Sequence, residues 1–169
     1  MISTDDLLWY LDEALEDIIA IVTGLGDDLA NRVPDLDGAN CAYAVLTHCL
    51  GVMEYWGGHI VAGRTIHRDR AGEFRARGDV AGLVERARQA RRQLGADLAE
   101  LDPFAPPRGH PAPEDAALPL GRTQGGAAVH ILEELAQHRG QLEMTRDLLG
   151  RRDRVGPRAE RGVTSPTQG

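Results

Sequence analysis

The 169-residue chain contains no lysine, and all 19 of its basic side chains are arginine. That absence excludes Schiff-base catalysis and Walker-type phosphate binding, because both use a lysine ammonium group. Aromatic residues make up only 4%, which argues against an all-β sandwich and against a stacking platform for single-stranded nucleic acid. Two cysteines, Cys41 and Cys49, are too few for a disulfide framework. No apolar run reaches the roughly 18 residues that a membrane span needs, and no secretory apolar stretch opens the chain. The expected location is the cytoplasm.

What is present is a globular composition, 42% hydrophobic and 27% charged, at a length that suits one domain with a real core. The charge is uneven. Residues 1–150 hold 14 Arg against 24 acidic residues, whereas residues 151–169 hold five Arg against Asp153 and Glu160. An acidic folded part has no basic face with which to neutralise phosphates, so nucleic acid is not an expected partner. Residues 151–169 read as a disordered basic tail.

Hydrophobic spacing predicts four helices and no strand. The first starts at Ser3 or Thr4, where Ser3 and Asp6 approximate a capping box. It carries Leu8, Leu11, Leu15, Ile18 and Val22 on one face and is expected to end at Gly24 and Gly26. Asn40 is the expected N-cap of the second, which runs to about Ala62 with Gly63 as its cap. Asp79 caps the third, whose inward positions continue to Leu98 and Leu101. The fourth starts at Thr123 or Gln124 and is expected to stop at Leu149, with Gly150 as a cap. Segment 102–123 holds six of the nine prolines and is expected to be irregular. Residues 64–78 read as a connection or a frayed helix end. The result is an all-α four-helix bundle with long crossover connections.

The six histidines hold the concentrated chemistry. His67 and His110 fall in loops. On the fourth helix, His130, Glu134 and His138 step by four and share one side. The outer two lie about 12 Å apart along the axis. One compact ion therefore takes either His130 with Glu134 or Glu134 with His138. His48, inside an apolar stretch of the second helix, is the natural third donor. Three protein ligands leave a coordination position open, as in a catalytic zinc site; buried, hydrogen-bonded histidines are the structural alternative. The zincin pattern and the Glu-x-x-His pairs of di-iron bundles are absent. Cys49 points away from His48 and reads as packing. Cys41, two turns before His48, reads as a small buried hydrophobe, with a reactive role as the alternative.

Two segments resemble a known superfamily. Ala39-Asn40-Cys41-Ala42-Tyr43-Ala44-Val45-Leu46-Thr47-His48-Cys49-Leu50, followed by Glu54-Tyr55-Trp56, is similar to the second helix of DinB-like proteins. Glu134-Leu135-Ala136-Gln137-His138-Arg139-Gly140-Gln141 is similar to their last helix. The resemblance covers residues 1–150 and implies a bundle that holds a divalent metal. It implies His48, Glu134 and His138 as the ligands, a His, Glu, His set like that of the mycothiol-dependent branch of transferases and isomerases. Zinc is the expected metal, with nickel or iron compatible with the same donors. The arginine-only, alanine-rich composition fits the high-GC setting in which mycothiol occurs.

That likeness implies a transferase that activates a low-molecular-weight thiol, mycothiol, as a zinc-bound thiolate for attack on an electrophilic substrate. The branch's maleylpyruvate isomerase resembles a bundle with a further C-terminal domain, so transfer is the expected activity here and thiol-dependent isomerisation the alternative. A non-catalytic, stress-associated metal-binding bundle, dimeric through an exposed helix face, is the other. Tyr55 and His130 are candidates for lining the reaction site. Arg64, Arg68 and Arg70, just past the second helix, are candidates for holding a carboxylate or sugar hydroxyls of the substrate, with charges in a solvated connection as the alternative.

Overall fold

The computed structural model describes residues 3–154, and the remaining expected tail, 155–169, lies outside the described residues. Helix α1 covers Thr4–Ala30. Its capping box forms as expected: the Ser3 hydroxyl accepts from the Asp6 amide at 3.0 Å, and the Asp6 carboxylate accepts from the Ser3 amide at 3.2 Å. Gly26, at φ 65°, interrupts the helix without ending it. One more turn follows to Ala30, because Asp27 and Asn31 have partners further on. Asp27 accepts from the Val80 amide, and Asn31 bonds Gly78 in both directions.

Helix α2 covers Ala42–Val52 and continues as a π-helical stretch over Met53–Val61. Its N-cap is Cys41, not the expected Asn40: the buried thiol accepts from the Ala44 amide at 3.4 Å. The wider π turns coincide with Gly57 and Gly58. A Cβ at Gly57 would collide with Leu94, and one at Gly58 with the Arg64 guanidinium. Gly63, at φ 74°, follows the last helical turn, where a glycine terminator was expected.

The connection to the next long helix contains a single turn, α3, Arg70–Glu73, begun by Asp69. Helix α4 covers Val80–Asp97 with Asp79 as N-cap. It ends short of Leu101, although Leu98 stays in the core. The proline-rich segment is not wholly irregular. Pro113–Ala116 and Pro119–Arg122 form one-turn helices α5 and α6, each opened by a proline whose missing N–H costs nothing at that position. Helix α7, Gln124–Arg154, runs straight through Gly150. Gly150 is therefore not its cap, and the first four residues assigned to the tail are helical.

Ion pairs and other contacts fix the directions. Asp12 pairs with Arg91 and Asp27 with Val80, so α1 and α4 are antiparallel. Arg139 reaches Asp17, while Leu7 and Ala128 line one groove, so α1 and α7 are parallel. His48 meets Glu134 and Trp56 meets His130, which sets α2 antiparallel to α7. Glu54–Arg86 and Gly57–Leu94 set α2 parallel to α4. Two parallel neighbours, α2 and α4, require a crossover, and the stretch containing α3 is that crossover. Leu11, Leu15, Ile18, Leu46, Leu50, Met53, Leu94, Ile131, Leu135 and Leu142 fill the space between the four helices. Among the described residues the chain is an all-α bundle of four long helices. No helix among the described residues is long and apolar enough to cross a membrane.

Candidate metal centre

His48 sits in the middle of α2, where every residue from Ala44 to Met53 is buried, and is itself only 2% exposed. Its neighbours on the core side are apolar, so its two ring nitrogens must find partners elsewhere. They do. Nε2 faces α7 and lies 3.2 Å from Glu134 Oε2, and Nδ1 faces the crossover and lies 2.9 Å from Glu73 Oε2.

On α7 the step of four brings His138 Nε2 to 3.2 Å from the same Glu134 oxygen. The His138 Nδ1 lies 2.8 Å from Gln141 Oε1, and the amide oxygen can only accept, so Nδ1 carries a hydrogen, and Nε2 is the nitrogen that faces Glu134. His130 sits one turn earlier. Its Nε2 is 3.5 Å from the other oxygen, Glu134 Oε1, and its Nδ1 is 2.9 Å from Glu133. Of the two pairings that spacing left open on α7, the one facing His48 is Glu134 with His138.

The donors fit a small divalent cation. One ligand atom from each of His48, Glu134 and His138 lies within 4.8 Å of the others. A tetrahedral zinc with bonds of about 2.0–2.2 Å holds its donors about 3.3–3.6 Å apart, close to the two 3.2 Å separations here. Two imidazoles and one carboxylate are zinc-type ligands, and the trio could hold a metal ion. The electrostatics point the same way. The hydrogen bonds from His138 and His48 hold Glu134 far below the usual carboxylate range, against a smaller opposing effect of burial. Burial opposes a charge on His48, but Glu134 and Glu73 together outweigh it and raise its pKa. A cation placed between these groups would take over the role of that proton.

The crossover contributes residues that sequence spacing does not reveal. Glu73 is buried, and Arg68 donates to both its oxygens, at 2.7 and 2.9 Å. Burial works against its ionised form, but hydrogen bonds from His48 and Arg68 prevail and lower its pKa. Phe74 stacks on the His48 ring with centroids 4.6 Å apart. The one sequence signal for this arrangement is Gly51, a glycine inside an apolar helix three residues after His48. A Cβ there would strike the Glu73 carboxyl group.

The other candidates fall into two groups. Trp56 touches the His130 ring edge-on at 4.9 Å, and Tyr55 packs against Trp56, His59 and the Arg68 guanidinium. His130 therefore reaches the Glu134 carboxylate, and Tyr55 packs further out, against Trp56 and Arg68. Arg64 and Arg68, expected to hold a ligand, have internal carboxylate partners. Arg64 makes a two-bond pair with buried Asp97, and Arg68 makes one with Glu73. His59 bonds the carbonyls of Arg64 and His110 and ties two loops together. Cys49 is fully enclosed, and burial pushes its thiol far up. It is packing, not a nucleophile.

A family model described as mycothiol-S-transferase matches residues 6–150. The chain belongs to that family. The match runs from the first turn of α1 to Gly150 on α7, so it takes in His48, Glu134 and His138 together with the crossover between α2 and α4. A comparison with curated proteins found no match. The family's name describes a transferase that uses a thiol, and the chain has a three-donor group that could bind a metal.

Proposed function

We propose that this member of the mycothiol S-transferase family is a zinc-dependent thiol transferase that joins mycothiol to an electrophilic small molecule. The observation that carries the reading is the meeting of His48, Glu134 and His138 at one point between α2 and α7. His48, Glu134 and His138 would hold the divalent ion, whose chemistry would be to lower the pKa of a coordinated thiol. Glu134 is the single anion among the three donors, and it keeps the centre's net charge low enough for the sulfur to stay nucleophilic. His48 and His138 supply neutral donors whose outer nitrogens are tied to Glu73 and Gln141.

His130 and Tyr55 are the residues proposed to contact the electrophile: His130 lies against Glu134, and Tyr55 packs on Trp56, which touches His130. His130, 3.5 Å from Glu134 Oε1 through Nε2, is proposed to exchange a proton with the electrophile. Arg64 and Arg68 are proposed as braces of the site instead of thiol-binding groups, since each already faces a carboxylate. Two free, buried cysteines, Cys41 and Cys49, suit the reducing cytoplasm proposed for its action.

The test is the pH–rate profile of mycothiol conjugation to monochlorobimane by the zinc-loaded protein. A thiol acidified at the centre gives a rate that is nearly flat from about pH 7 to 9. A rate that climbs with the thiol's own ionisation, near a pKa of roughly 8.5, contradicts the proposal.

A further inference from the structure

His48 is unusual among the three donors in how many groups outside the centre act on it. The crossover between α2 and α4 is 25 residues away in sequence at Glu73, yet it brings three side chains to this one ring. Arg68 holds the Glu73 carboxylate at both oxygens, and Glu73 Oε2 lies 2.9 Å from His48 Nδ1. Phe74 covers one ring face, with planes 26° apart.

The chemistry of the pair puts a hydrogen on Nδ1. A carboxylate held by arginine is an acceptor only. Two lone pairs facing each other across 2.9 Å would repel, so Nδ1 carries the hydrogen and donates it to Glu73. Arg68 also approaches Nδ1, but at 3.3 Å, longer than either of its bonds to Glu73. With a metal at the centre, Nε2 would be the nitrogen that offers its lone pair, because it points at Glu134 and His138.

We propose that α3 and its flanks form a positioning clamp for His48. In it, the Arg68-held carboxylate of Glu73 accepts the Nδ1 hydrogen bond and aims Nε2 at the metal, and Phe74 fixes the plane of the ring. The clamp rests on the metal-centre reading above and adds two residues, Glu73 and Phe74, that touch neither metal nor substrate. Outer partners of this kind fix ring orientation and raise ligand basicity. Gly51 belongs to the device, because only a residue without Cβ leaves room for the Glu73 carboxyl group beside α2.

The experiment measures zinc affinity by competition with a chelating dye for the wild type, Glu73→Gln and Phe74→Leu. The ring N–H protons of the zinc-loaded proteins are read in long-range 1H–15N spectra. Glu73→Gln keeps the volume and is expected to weaken zinc binding about 10- to 100-fold. It should also shift the His48 Nδ1–H resonance upfield while the His138 Nδ1–H, bonded to Gln141, stays in place. A role confined to folding would not move one ring proton and spare the other. Phe74→Leu loses only the ring stack and is expected to weaken zinc about 2- to 10-fold; it decides the matter if Glu73→Gln does not fold. Equal zinc affinity and an unmoved His48 proton in the variants overturn the clamp while leaving the centre intact. A wild type that takes up no zinc overturns the centre itself.

Discussion

At the scale of single residues, the proposed site depends on three donors that are not equivalent. His48 is buried and held from outside, whereas Glu134 and His138 come as a pair one helical turn apart on α7. Replacing either histidine with alanine removes a direct ligand, so His48→Ala and His138→Ala should lower zinc affinity by more than about 100-fold, the upper cost of losing an outer partner. Glu134→Gln should also weaken binding, because a neutral amide replaces the only anion. Metal content after dialysis checks all three, and full occupancy in both histidine variants would refute the ligand assignment. Spacing brought out His48, Glu134 and the two histidines that flank it for a physical reason, and the resemblance chose His138 over His130. A spacing of four puts side chains on one helix face wherever the helix lies, and a histidine in an apolar stretch must have its nitrogens satisfied. Glu73 was not legible. Its contact with His48 depends on the path of a crossover, which no local spacing encodes.

The elements show the same division. The four long helices follow from apolar residues at spacings of three and four, and each appears close to where that pattern puts it. The errors fall at ends and connections, where tertiary partners override local preference. Gly26 only kinks α1, because Asp27 and Asn31 bond the start of α4. Cys41 replaces Asn40 as the cap of α2, because a buried thiol can still accept one amide hydrogen bond. The prolines of segment 102–123 start two short turns. Gly51 offers the sharpest test at this scale. In Gly51→Ala the new methyl group would meet the Glu73 carboxyl carbon at 2.6 Å. Crowding of this kind costs typically about 1–3 kcal/mol, but the atom displaced is the end of a flexible side chain, so helicity should survive. Zinc affinity should fall, since Glu73 cannot move without leaving His48. Circular dichroism and a zinc titration check this; a variant with unchanged zinc affinity would show that the glycine is there for another reason.

For the whole molecule, the charges at the centre tie stability to pH. Glu134 and Glu73 have pKa values lowered from 4.5 in the folded protein. Their contribution is present above that value and is lost as pH falls through the folded values. His48 has its pKa raised from 6.5, so its contribution is complete below 6.5 and is lost as pH rises through the raised value. The metal-free protein should therefore melt highest between about pH 4.5 and 6.5 and lower on either side. Thermal melts in the presence of a chelator check this, and a melting temperature that rises from pH 6.5 to 8 would contradict it. Zinc should remove the loss on the alkaline side, because the ion replaces the proton between His48 and Glu134.

The central claim is that the point shared by His48, Glu134 and His138 is where the thiol is activated. The most direct measurement is the rate of mycothiol conjugation to monochlorobimane before chelation, after it and after zinc is returned, with metal content followed on the same samples. The account predicts one divalent ion per chain at the site formed by these three residues, loss of turnover with loss of the ion, and recovery when zinc is restored. A fully chelated protein that keeps its whole rate would contradict it.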